Sequence, residues 1–413
     1  MRRNDEHMIT LKQAQQQMIA SVSCVCDSEE IALEQALNRV SSSPVVSSIF
    51  VPPSDNSAMD GFAVKVADGS LLADGSLKGK TLAVSQRIPA GLQPEPLQEG
   101  TAARIFTGGV MPLNADAVVI QESCYYVSDD EVTINVDVSS GDNVRLKGQD
   151  IAQGSDVIAA GQRLNAIDLS LIASVGCAKI DVHRPLIVAI FSTGDELVEP
   201  GDVLREGQIY NSNRIALTAL CKQLGYQVID CGIIEDTLEA TKEALQSAAA
   251  EADIVISSGG VSVGEEDHVK PAVESLGSLD LWKVQMKPGK PVAFGRINKT
   301  PFLGLPGNPV SSYIVFQLLG VPLLAKLQGE KHHSPAAFEV CAGFEKMSVS
   351  REEYLRVRLI NENGELIVQR FDNQSSGVLF SLAWADGLVR QNIGQRICMG
   401  SKVDFLPLHH GLL

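Results

Sequence analysis

The 413-residue chain is predicted to be a multidomain α/β and β protein, built around a doubly wound, mostly parallel sheet. Three observations carry that reading. The length exceeds what one hydrophobic core ordinarily organises. Residues 184–330 alternate strand-like apolar runs with helical periods, the pattern of a parallel sheet covered on both faces. On either side of them, 53–148 and 335–413 hold short β-like runs broken by Gly and Pro, as small β domains do.

In chain order, Thr10 can cap a helix through Gln17, and Glu29–Val40 repeats Ile31, Leu33, Ala36, Leu37 and Val40 at helical spacing. Ser41–Ser43 and Pro44 end that run, and Val51-Pro52-Pro53 leads into the first β region. There Phe62–Val66, Thr81–Val84, Ala117–Ile120 and Val132–Val136 read as strands. Asp168 is a candidate N-cap for a short apolar helix, Leu169–Val175, stopped by Gly176. This segment could return to pack beside the N-terminal one, which would make 8–52 and 149–183 one discontinuous domain with 53–148 inserted in it. In the alternating region Leu186–Phe191, Val228–Asp230, Ile254–Ser257 and Phe302–Leu305 are strands. Helices follow Asn211 or Ser212, Thr237 and Asn308, with Pro309 at the first helical position of the last. In the final region Phe338–Val340, Tyr354–Leu359, Glu365–Val368 and Lys402–Phe405 are strands, with Asn363-Gly364 a hairpin turn.

Composition narrows the function classes. The chain is 45% hydrophobic and 20% charged, as soluble globular proteins are. A net charge of −16 argues against a nucleic-acid partner, which requires a dominant basic face. No stretch approaches the ~20 apolar residues of a membrane span, and the N-terminal stretch is no signal peptide. Eight scattered cysteines form no disulfide framework, so a cytoplasmic setting is expected.

In open α/β sheets the ligand lies beyond the carboxyl ends of the strands. Three segments therefore face one crevice: Thr193–Glu196, Ser258–Asp267 and Leu305–Pro309. Ser258, Gly259 and Gly260 break a buried β run with small side chains that let backbone N–H groups approach an anion. Glu196, Asp236 and Asp267, with Asp195, Glu265 and Glu266, are oxygen donors suited to a hard divalent cation. Lys283, Lys287 and Lys290, in KVQMKPGKP, supply positive charge for phosphate. Charges beside glycine or proline turns at strand ends suit a phosphate with its metal and weaken the alternatives, a solvated surface patch and an ordinary βα turn with an acidic first helical turn, without removing them. In the insertion, Asp55–Phe62, Arg104 with Thr107-Gly108-Gly109, and Arg145–Asp150 each mix charge with glycine on a loop.

The chain resembles the MoeA family, the molybdopterin molybdenumtransferases, to which gephyrin is related. The carriers are DNSAMDGFAV at 55–64, STGDEL at 192–197, SSGGVSVGEEDHVK at 257–270, KPGKPVAFG at 287–295 and LPGNPVSS at 305–312, in the family's order. The resemblance implies a discontinuous elongated domain, a β insertion, a molybdopterin-binding α/β domain like the pathway's adenylyltransferase, and a C-terminal β-barrel. It implies a homodimer whose cleft takes residues from both chains. It also implies a Mg2+-dependent reaction of molybdate with adenylylated molybdopterin that yields molybdenum cofactor and AMP. Hand-over to the adenylyltransferase and to molybdoenzymes would follow. By motif, the resemblance makes Asp60, Thr107, Asp150, Glu196, Asp236 and Asp267 catalytic, with the last three holding the metal. Arg145, Lys283, Lys287, Pro306, Pro309 and Ser376 join Ser258, Gly259 and Gly260 in substrate binding. Two alternatives stay open: a molybdopterin adenylyltransferase, and a non-catalytic molybdopterin-binding scaffold.

Overall fold

The computed structural model describes residues 8–66, 76–260, 268–331 and 337–408. At its centre lies a seven-stranded sheet in the order Met8–Ile9, Gly277–Val284, Pro291–Ile297, Thr300–Leu305, Ile254–Ser258, Ile187–Thr193, Gln227–Ile234. Only Pro291–Ile297 runs against its neighbours, so the sheet is mixed but mostly parallel. The strands Gly277–Val284 and Pro291–Ile297 were not legible in the sequence. They form an antiparallel meander that carries Lys283, Lys287 and Lys290 to the same edge as the carboxyl ends of the parallel strands.

Helices cover both faces. One core packs Ile190, Ile254, Ile256, Leu303 and Leu305 against the helices Leu11–Ser21, Ser212–Gln223 and Pro309–Gln328. The other packs Ala189, Phe191, Val255 and Phe302 against Leu238–Glu251 and Val269–Leu276. Pro309–Gln328 is long and apolar enough to cross a bilayer, but 83% of its apolar window is buried inside the protein, as in a core helix.

Two expectations about elements are corrected. Glu29–Val40 is not a helix: Ser28–Ala32 is a strand, Leu33–Gln35 a 3-10 turn, and Asn38 has φ +63°. The apolar spacing fits a helix, but Lys179–His183, distant in sequence, supplies an antiparallel ladder to Ser28–Ala32. Ile31, Leu33 and Ala36 then pack with Leu164, Ile172 and Val182. Likewise Asp168 is not the N-cap of its helix, Ala166–Ser174. Asn165 caps it, accepting from the amides of Ile167 and Asp168, while the Asp168 carboxylate returns to the Asn165 amide at 2.9 Å, a capping box.

The segments 28–51 and 151–183 pair with each other strand by strand. Between them lies a six-stranded sheet, Cys124–Ser128, Glu131–Ile134, Thr81–Ile88, Thr101–Ile105, Gly61–Val64, Ala117–Ile120. Its two cores draw only on residues 62–144 among the described ones. At the C-terminus five strands close on themselves, since Glu352–Glu362 pairs with both Glu365–Arg370 and Gly387–Gln391. The turn Asn363-Gly364, with φ +53° and +87°, makes the hairpin expected of it. Met286–Lys287 pairs in parallel with Glu352–Glu353 and ties this barrel to the central sheet's carboxyl rim.

Candidate functional site

Strand register determines which residues meet at the rim. Thr193 lies opposite Ile234, Ser192 opposite Ser258, and Ser258 opposite Leu305. The residues just past those ends are therefore neighbours: Gly194–Glu196, Glu235–Asp236, Gly259–Gly260 and Pro306–Pro309. Close approach here demands glycine. A Cβ on Gly260 (φ +67°) would strike Val269 and come within 2.8 Å of the Thr193 hydroxyl, and one on Gly259 would lie 3.0 Å from the Thr193 carbonyl. The Glu196 carboxylate folds back over Gly194 (φ +140°), with Oε2 2.5 Å from where a Cβ would stand.

Polar side chains knit the rim together. Asn213 Nδ2 donates to Ser258 Oγ at 2.9 Å and to the Gly307 carbonyl at 2.7 Å, joining two of the loops. Because Ser258 Oγ accepts this bond, its own proton remains to donate. The Gly259 amide donates to the Leu305 carbonyl at 3.0 Å. That corrects the expectation that the Gly259 amide cradles an anion: Gly259 contributes its missing side chain. Ser376 reaches the same place, since its carbonyl accepts the Val310 amide at 3.1 Å, beside Pro306 and Pro309. The Ser376 loop is held by Arg356, 1% exposed and without a carboxylate partner among the described residues. Arg356 donates to Ser381 Oγ at 3.0 Å and to the Ser375 carbonyl at 3.0 Å, and burial pushes its guanidinium down to about 10.

Lys283 is exposed at the rim end of its strand. Lys287 is not free: its Nζ lies 3.1 Å from Glu353, which Lys346 also pairs at 2.9 Å. Burial opposes ionisation of Glu353, but the two lysines outweigh it and hold its carboxyl below the usual range. Two cations around one carboxylate leave this corner net positive. Asp267 lies outside the described residues.

A second cluster sits in the insertion. Asp60 Oδ1 accepts the Thr107 amide at 2.8 Å and its hydroxyl at 2.9 Å. These two bonds, with the Arg104 charge adding to them, hold the Asp60 carboxyl below the ordinary carboxylate range. Arg104 was named with this loop in the sequence, but its contacts were not foreseen. It lies over the rings of Phe62, Phe106 and Tyr126 and donates to the Gly61 carbonyl at 3.1 Å, while Arg87 stacks on Phe106. Arg145 pairs across a short ladder with Asn56, and the Asp150 amide donates to the Val51 carbonyl; both side chains are exposed. The structure thus brings the expected residues into two groups, one on the rim and one in the insertion. Sequence reasoning missed Asn213, Arg214 and Arg356. The only signal was the Asn211-Ser212-Asn213 cap, read for its helix alone.

A magnesium ion is bound by few protein carboxylates, keeping waters and taking phosphate oxygens from its substrate. Glu196 and Asp236, on adjoining strand ends, fit that donor set. Among the described residues no group of three or more His, Cys, Asp or Glu converges as an all-protein cage would require.

Three family profiles cover most of the chain: "MoeA N-terminal region (domain I and II)" over 9–176, "Probable molybdopterin binding domain" over 189–326, and "MoeA C-terminal region (domain IV)" over 345–408. The chain is 37% identical to the molybdopterin molybdenumtransferase of Haemophilus influenzae, over 98% of this chain and 99% of that one. It is 39% identical to the enzyme of the same name from Nostoc sp., over 92% and 88%. Among solved structures, a molybdopterin biosynthesis MoeA protein from Pyrococcus horikoshii superposes with a TM-score of 0.76 and 32% identity, covering 97% of this chain and 99% of that one.

Proposed function

The chain belongs to the MoeA family of molybdopterin molybdenumtransferases, and from that premise we propose that it is a transferase that inserts molybdate into adenylylated molybdopterin and releases AMP. The observation carrying this reading is the convergence of four strand-end loops, with the lysine meander and the Ser376 loop, on one carboxyl rim. There the Gly260 amide and the Ser258 hydroxyl donate to the substrate's phosphate. Lys283 and Lys287 add positive charge to receive the two anions in an otherwise acidic protein. Glu196 and Asp236, with Asp267, are the residues to hold magnesium, which when bound neutralises pyrophosphate charge and stabilises departing AMP. No protein nucleophile is needed: an oxygen of molybdate or water attacks the activated phosphate, the anhydride P–O bond breaks, and its electron pair leaves with AMP.

The insertion cluster completes the cleft from a second copy of the chain. Asp60 is held ionised by Thr107, and Arg145 offers an exposed cation beside the same loops. Each of the two groups lies on its own core, and the shared cleft that the family resemblance implies assigns them to opposite chains of a dimer. Incubating the protein with adenylylated molybdopterin, molybdate and magnesium should release AMP. Pterin binding without AMP release would make it a scaffold, and ATP consumption with free molybdopterin would make it an adenylyltransferase. Asp60→Ala and Glu196→Ala should each be inactive alone. Co-expressed, they should recover about a quarter of wild-type activity, because half of randomly paired dimers keep one intact cleft of two. No recovery would place both groups in one chain's cleft.

A further inference from the structure

Arg214 ties the segments that carry Glu196 and Asp236 to a single helix. It lies in the first turn of Ser212–Gln223 and is 8% exposed. One end of its guanidinium pairs with Glu199 and the other with Asp230. Glu199 follows the Leu197–Val198 ribbon, which pairs with Ile209–Tyr210 and is fastened by the Ile209 amide donating to the Glu196 carbonyl at 2.8 Å. Asp230 stands where the register between Ile187–Thr193 and Gln227–Ile234 slips. Its second oxygen accepts the Gly232 amide at 3.0 Å and closes that bulge. The helix itself is pinned to the sheet, because Asn211 Oδ1 accepts from Ser192 Oγ at 3.2 Å as well as from the Arg214 amide.

We propose that Arg214 is a positioning residue: by bridging Glu199 and Asp230 it sets the separation of the loops bearing Glu196 and Asp236. Neither Glu196 nor Asp236 belongs to regular structure, and each lies close to its anchor in the chain, Glu196 just before Glu199 and Asp236 just after Asp230. The planar fork suits this task, since it fixes two carboxylates at once, whereas lysine's point charge fixes one. The proposal rests on the reading that Glu196 and Asp236 hold a divalent cation, and predicts that breaking either arm of the bridge weakens metal binding.

The test reads manganese(II) binding by electron paramagnetic resonance, with adenylylated molybdopterin present and molybdate absent. Arg214→Met, Glu199→Gln and Asp230→Asn should each weaken manganese binding by about 10- to 100-fold, the range of changes that disturb ligand-supporting contacts. Arg214→Lys should fall between these and wild type, and metal-free pterin binding should stay within about threefold throughout. Glu199→Gln, which keeps the arginine and its Asp230 pair, serves if Arg214→Met fails to fold. If wild type and Glu196→Ala bind manganese equally, the metal reading of the carboxylates falls and the inference with it. If Glu196→Ala loses manganese while the Glu199 and Arg214 variants bind like wild type, only the positioning role is overturned.

Discussion

Replacing Gly260 by alanine should damage the rim through its backbone. The residue holds φ +67°, a left-handed conformation that costs an L-residue about 1–2 kcal/mol. The new methyl would also meet the buried Val269 side chain and stand 2.8 Å from Thr193 Oγ1. Overpacking of that kind adds roughly 1–3 kcal/mol. Together the penalty is about 2–5 kcal/mol, some of which the turn escapes by leaving its ligand-ready shape. Binding of adenylylated molybdopterin, followed calorimetrically without molybdate, should therefore weaken by about 30-fold or more. Gly307→Ala supplies the matched comparison. Its Cβ would sit 3.8 Å from Gly259 Cα, an ordinary contact, and Gly307 does not require a positive φ. That variant should bind within about threefold of wild type. Equal losses in the two variants, or an unaltered Gly260→Ala, would refute the argument from backbone strain.

Two further outcomes test the electrostatics. Thr107→Val removes the hydroxyl donor to Asp60 but keeps the amide, so the Asp60 pKa should rise toward the ordinary carboxylate range. A depressed carboxyl stabilises the fold above its unfolded-state value of about 4 and loses that contribution as pH falls through the lower folded value. The contribution should therefore be smaller in Thr107→Val, and its loss on acidification should be complete at higher pH; an Asp60 carbon-13 titration identical to wild type would contradict this. Among the cysteines, Cys24 and Cys398 are exposed, whereas burial pushes the thiols of Cys26 and Cys221 up to about 12. Against an ordinary thiol, their thiolate fraction near pH 8 falls by about a thousandfold. Labelling with a disulfide reagent, mapped by mass spectrometry, should mark Cys24 and Cys398 first; early labelling of Cys221 would show that its core opens.

Local chemistry in the sequence was enough to place the four adjoining parallel strands Gln227–Ile234, Ile187–Thr193, Ile254–Ser258 and Thr300–Leu305, several helix caps and the glycine turns. Thr10, Thr237 and Asn211 all cap the helices expected of them, and Asn363-Gly364 turns its hairpin. Such features depend on a few adjacent residues, and the residues carry the signal themselves. It also grouped Ser258, Gly260, Pro306 and Pro309 on one rim, because strand–helix alternation fixes the side on which strand ends emerge. What the sequence by itself determined, then, was the identity of the elements with strong local signals and the edge at which the candidate site residues gather. Only the tertiary structure decided the partners. Ile31 and Leu33 took a strand and a tight turn because Lys179–His183 offered a ladder, Gly259 lost its amide to Leu305, and Lys287 was claimed by Glu353. Arg104, Arg214 and Arg356 gained their roles from the Phe62 and Tyr126 rings, from carboxylates and from carbonyls well removed in sequence. The physical reason is common to all of them: a backbone or guanidinium donor is indifferent to sequence distance, so its acceptor is settled only when folding brings one within reach.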